Sequence, residues 1–69
     1  MPVSMLRPGE TQSIKRITGR DEVRQHLAEL GFVAGEEVVV ISEIGGNMLL
    51  QVKGTRIALD RSMANRILV

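Results

Sequence analysis

Arg24–Ile41, RQHLAELGFVAGEEVVVI, changes the period of its apolar residues midway, and that change decides the fold. Val23, Leu27 and Leu30 recur at helical spacing and form one apolar stripe at 100° per residue. Gly31 then stops the helix, because glycine takes the left-handed C-cap conformation without a Cβ penalty. Gly35 precedes a β-branched run, Val38–Ile41, which reads as a buried strand. A short helix passing through Leu30-Gly31-Phe32-x-x-Gly35 straight into a strand is a specific construction.

Outward from this stretch, the chain reads as short strands and tight turns. Leu6-Arg7-Pro8-Gly9-Glu10 has the type II signature, with proline fixing φ and glycine accepting positive φ at the next position. Gln12–Thr18 is a strand with Ile14 and Ile17 inward, ended by Gly19. Asp21 is placed to cap the helix running to Leu30. The Glu37–Ser42 strand is followed by Ile44-Gly45-Gly46-Asn47, strong hairpin chemistry, and then by a strand at Met48–Lys53. Gly54-Thr55 turns into a strand at Arg56–Leu59, Asp60 caps one helical turn at Arg61–Asn65, and Arg66–Val69 is the last strand. This predicts a mainly β fold: a small SH3-like, five-stranded, partly open barrel with one short helix and a helical turn before the last strand. Closure shields strand edges that so small a sheet would otherwise expose. Val38, Val40, Leu50, Val52, Ile57, Leu59 and Ile67 are its expected core, and residues 1–69 form a single domain.

Composition removes several function classes. With Cys 0 there are no disulfides, thiolate metal sites or cysteine nucleophiles. Lys+Arg 9 against Asp+Glu 8, spread along the chain, lacks the basic clustering of nucleic-acid binders. Trp 0, Tyr 0 and Phe 1 leave almost nothing for bases or proline-rich peptides to stack on. No apolar run approaches the ~20 residues needed to span a bilayer, and MPVSMLRPGE lacks a signal-peptide pattern, so a soluble cytoplasmic protein is expected.

Several motifs, jointly and in order, resemble the FeoA family. They are Leu6-x-Pro8-Gly9-Glu10, Leu27-x-x-Leu30-Gly31-Phe32-x-x-Gly35, Val38-Val39-Val40 and Gly54-x-Arg56-Ile57-Ala58-Leu59-x-x-x-x-Ala64-x-x-Ile67-x-Val69. One departure is the hairpin, where many members carry a Gly-Asp-Pro type turn and this chain has Gly45-Gly46-Asn47. The resemblance implies a small cytoplasmic bacterial accessory protein of ferrous iron uptake, recruited to the inner face of the membrane. Its implied partner is FeoB, a membrane transporter with a cytoplasmic GTPase domain. The same barrel is similar to the C-terminal domain of diphtheria-toxin-repressor-type metal regulators, although this chain lacks their helix-turn-helix.

No nucleophile–base pair is supported by spacing, so no enzymatic activity is expected. Asp60 and Ser62 read as capping residues, and Gly45, Gly46 and Gly54 lack the lysine of a phosphate loop. Glu22, His26 and Glu29 share a helical face and are the weak candidates for a divalent metal; the competing reading is a solvated face. Met48 and Met63 read as core filler rather than soft-metal ligands. Phe32 is expected in the core, and Arg56 and Arg61 read as surface arginines rather than arginine fingers.

The expected function is therefore a non-enzymatic, cofactor-free module acting by protein–protein interaction with FeoB. The alternatives are a divalent-metal-sensing or metal-binding domain and a regulatory barrel partnering a metal-dependent repressor. Arg56, Arg61 and Met63 are the expected interface, drawn together near the last strands and helical turn. Charge reversal at Arg61 should leave the fold intact. Self-association as a homo-oligomer is expected, if at all, at a strand edge by Met48–Lys53.

Overall fold

A computed structural model describes residues 1–69 as six strands, two helices and a 3-10 turn. The strands are β1 (Thr11–Ser13), β2 (Arg16–Ile17), β3 (Glu37–Ile44), β4 (Asn47–Val52), β5 (Thr55–Asp60) and β6 (Ile67–Leu68). Helix α1 spans Asp21–Glu29, α2 spans Arg61–Ala64, and Val3–Met5 forms the 3-10 turn. Antiparallel pairing gives a four-stranded sheet in the order β1-β3-β4-β5 and a two-stranded sheet of β2 and β6. This is the mainly β, SH3-like architecture expected, with one strand more.

The extra strand arises because Gln12–Thr18 is not continuous. Ile14 N–H donates to the Glu36 carbonyl at 2.8 Å, still beside β3, and Lys15 N–H donates to the Leu68 carbonyl at 2.7 Å. The chain thus changes sheets between two neighbouring residues, which closes the barrel corner. Lys53 also leaves the strand assigned to it, since with φ 52° it shares a two-residue turn with Gly54 at φ 75°. Gly45 (φ 57°) and Gly46 (φ 83°) form the other such turn, between paired Ile44 and Asn47. Positive φ at both central residues is the type I′ geometry that matches strand twist.

Helix α1 ends as expected and starts differently. Arg20 holds the N-cap position with no side-chain cap, while Asp21 is the first helical residue and pairs with Arg24. Its carboxylate still favours the positive end of the helix dipole. At the C-terminus Gly31 N–H donates to the Ala28 carbonyl at 3.0 Å and Phe32 N–H to the Leu27 carbonyl at 2.9 Å. These are the two bonds of a Schellman motif, and its usual apolar contact is supplied by Leu27 and Phe32, both fully buried. Gly31 has φ 107°, and a Cβ there would lie 3.4 Å from Val52 Cγ1. Gly31→Ala is therefore expected to cost on the order of 1 kcal/mol, lowering the melting temperature by roughly 4–8 °C in calorimetry.

The core lies between the sheets, under α1 and α2. Val38, Val40, Leu50, Val52, Leu59 and Ile67 are buried as expected. Ile57 is only half-buried, because β5 is an outer strand, although it packs against the core. Val3, Leu6 and Val69 join the core from the chain ends, and Ile14, Met48 and Ala64 are buried in it as well. The isolated Pro2–Leu68 bridge and the 2.7 Å bond from Val69 N–H to the Met1 carbonyl lay the first residues along the last strand.

Candidate functional site

The alternation of β3 breaks in the middle. Val40 pairs with Leu50, but Ser42 pairs with Leu49, so Ile41 is the extra residue of a β-bulge. The bulge inverts everything after it. Without it Ile44 would point inward and Glu43 outward; with it, Ile44 and Ser42 lie on the outer face and Glu43 turns toward α2.

Glu43 there meets the Arg61 guanidinium. Arg61 Nη2 donates to Glu43 Oε2 at 2.6 Å and Nη1 donates to the Ser4 carbonyl at 3.1 Å. A single side chain therefore ties the 3-10 turn to the β3–β4 hairpin. The position of Arg61 is fixed by Asp60, whose Oδ1 accepts the Met63 N–H at 2.7 Å and caps α2 as expected. Ser4 also donates through Oγ to Asn65 Oδ1, giving the turn a second tether to α2.

The residues following the two that Arg61 bridges are Met5 and Ile44, exposed at 66% and 76%. With Met1, they are the large apolar side chains left most open to solvent. Ile44 borders an outer-face groove of about 300 Å³ lined by Ser42, Asn47, Met48, Leu49 and Ala58. Exposed apolar side chains beside an ordered arginine are the composition of an interaction surface.

Of the three interface residues expected from sequence, Arg61 and Met63 share α2 at this end, and Arg56 does not. Arg56 pairs across from Gln51 and donates to its Oε1 at 3.2 Å, next to the Lys53-Gly54 turn. Arg61 lies five residue steps, about 16 Å of extended chain, beyond Arg56, so the two do not form one patch. Met63 is half-buried and packs against the core. The edge expected at Met48–Lys53 is not free either, because β4 is paired on both sides. Sequence reasoning missed Met5 and Ile44. Nothing in the N-terminal residues MPVSML gives a sign of docking, and the apolar run Val38–Ile41 conceals the bulge that exposes Ile44.

Glu22, His26 and Glu29 all lie exposed on α1. No three of the histidine, aspartate and glutamate side chains converge as a set that could hold a metal ion. Phe32 is fully buried, and Met48 likewise. No helix is long and apolar enough to cross a membrane.

Fold and surface together define a small SH3-like barrel in which two of the most open apolar side chains, Met5 and Ile44, each follow a residue held by Arg61. The chain belongs to the FeoA family, whose domain model matches residues 1–69. It is 29% identical over 68 residues to the protein named "Putative Fe(2+) transport protein A" of Methanocaldococcus jannaschii, covering 99% of this chain and 83% of that one. Stenotrophomonas maltophilia FeoA, solved in complex with zinc and described as an SH3 domain protein, superposes with a TM-score of 0.89 at 35% identity, covering 100% of this chain and 88% of the other. A manganese-dependent transcriptional repressor shares the fold, with a TM-score of 0.87 at 18% identity over 97% of this chain and 39% of its own.

Proposed function

We propose that this chain is a cytoplasmic, non-enzymatic accessory protein of ferrous iron transport that docks on the transporter FeoB through the Met5–Ile44–Arg61 end of the barrel. Family membership supports the transport role, and the iron transport name of the archaeal relative agrees with it. The observation that carries the choice of surface is Ile44, set 76% exposed beside a two-glycine hairpin tip. A large apolar side chain held in water on a type I′ turn gains nothing for the fold and much from a partner's pocket. Arg61 acts as a positioning residue, holding the hairpin and the 3-10 turn in one frame.

The test is ferrous iron uptake in a strain lacking this chain. Uptake is expected to fall on deletion, to be restored by the natural chain, and to stay low with Ile44→Glu at an equal level of folded protein. Restoration by Ile44→Glu would remove this end of the barrel from the account, and unimpaired uptake on deletion would remove the transport role.

The zinc complex of the Stenotrophomonas relative favours, as a second reading, a domain that binds divalent metal itself. In this chain any metal site is proposed to be weak and centred on the His26 face of α1. Calorimetric titration with Fe(II), Mn(II) or Zn(II) is expected to show low affinity that falls further in His26→Ala. A tight stoichiometric site that survives His26→Ala would favour metal sensing.

A further inference from the structure

We propose that the free edge of β5 pairs with the same edge of a second copy of this chain, antiparallel about a two-fold axis through Ala58. β5 is the outermost strand of its sheet, and its register with β4 runs from Thr55 to Asp60 without a bulge. In the two-residue hairpin, Thr55 exchanges bonds with Val52, so Thr55, Ile57 and Leu59 face the β4 ladder. The backbone groups of Arg56, Ala58 and Asp60 then point away from it. No backbone bond outside the ladders engages Arg56 or Ala58, and both residues are exposed. A six-residue edge without bulge or proline is a template for another strand. The opposite edge of the sheet, β1, offers only three residues before the chain changes sheets.

The side chains on this edge select the occupant. In an antiparallel pair centred on Ala58, Ala58 faces the partner subunit's Ala58, Arg56 faces the partner subunit's Asp60, and Asp60 faces the partner subunit's Arg56. Opposite charges directly across a strand pair are stabilising. Moving the axis to Arg56 or to Asp60 sets like charges against each other, and moving it to Ile57 or Leu59 sets the charge against Ala58, so only the Ala58 register pairs opposite charges. The atoms needed are free: Asp60 uses Oδ1 for the Met63 N–H, leaving Oδ2, and Arg56 uses Nε for Gln51, leaving both Nη groups. Ala58 is small where the copies meet. Leu49, paired beside it, continues the apolar strip on the same face, one strand outside the alanines in each copy. The contact is self-complementary, as a two-fold interface requires. An edge of six residues buries less than the roughly 800 Å² per partner of a standard stable interface, so the dimer should dissociate on dilution.

The test is sedimentation equilibrium of the purified chain over a concentration series, with amide exchange at Arg56 and Ala58 followed by NMR. A concentration-dependent dimer with slowed exchange at these two amides is expected. Arg56→Glu, which sets a carboxylate against the partner subunit's Asp60 twice, should weaken it by about tenfold. Ala58→Pro, which removes the central donor, should abolish it. A monomer at concentrations up to about 1 mM overturns the proposal, as does a dimer of equal affinity in Arg56→Glu with exchange at the two amides unslowed. Slowed exchange that appears only when a foreign extended peptide is added, without self-association, assigns the edge to another partner and also overturns it. No transporter is present in this measurement, so its failure leaves the docking proposal standing.

Discussion

Phe32→Ala is expected to leave most of the protein unfolded at 37 °C. Phe32 is the only aromatic residue, is fully buried, and seals the end of α1 against the sheet through the Schellman turn. Phenylalanine-to-alanine changes in cores cost about 3–5 kcal/mol. A domain of 69 residues has a total stability of roughly 3–10 kcal/mol. The substitution therefore removes much or all of the margin. Circular dichroism melting would show this as loss of the cooperative transition or a fall of more than about 15 °C. A melting curve close to that of the natural chain would mean that Phe32 is not the keystone of the helix-to-strand turn.

Arg61→Glu is expected to destabilise the fold, where sequence alone suggested a change that leaves the fold intact. The substitution removes the bond to the Ser4 carbonyl and sets a carboxylate against Glu43. Arg61 keeps 47% of its side-chain surface, so solvent screens the loss and about 1–2 kcal/mol is a reasonable cost. The melting temperature should fall by roughly 5–15 °C. Arg56→Glu, whose guanidinium reaches only the neighbouring Gln51 side chain, should change stability by under about 0.5 kcal/mol. Equal melting of the two variants would show that the Arg61 bridge is not a structural tie. For the same reason Ile44→Glu, rather than an Arg61 variant, is the clean probe of docking.

These residues also show what could be read in advance. The helix stop at Gly31, the Gly45-Gly46 hairpin and the Asp60 cap were legible because each depends on local backbone chemistry at a named residue. Most of the β-core was legible from its β-branched residues. The division of Gln12–Thr18 was not, since the switch of partner at Ile14 and Lys15 depends on strands far along the chain. The bulge at Ile41 was hidden in the same way, because a continuous apolar run carries no parity signal. That loss carried over to the site: once parity is unknown, neither the exposure of Ile44 nor the inward turn of Glu43 can be deduced. Arg56 and Arg61 looked adjacent because sequence distance along a strand was read as nearness, whereas an extended strand holds its ends apart.

The central claim is that this barrel acts by docking on a transporter through its hairpin end. The most direct measurement is the affinity of the purified chain for the cytoplasmic portion of FeoB, by titration calorimetry, for the natural sequence, Ile44→Glu and Arg56→Glu. Binding by the natural chain, little change in Arg56→Glu and a loss of about thirtyfold or more in Ile44→Glu are expected, as for a hot-spot residue. Absence of binding by the natural chain, or equal binding by Ile44→Glu, would contradict the account.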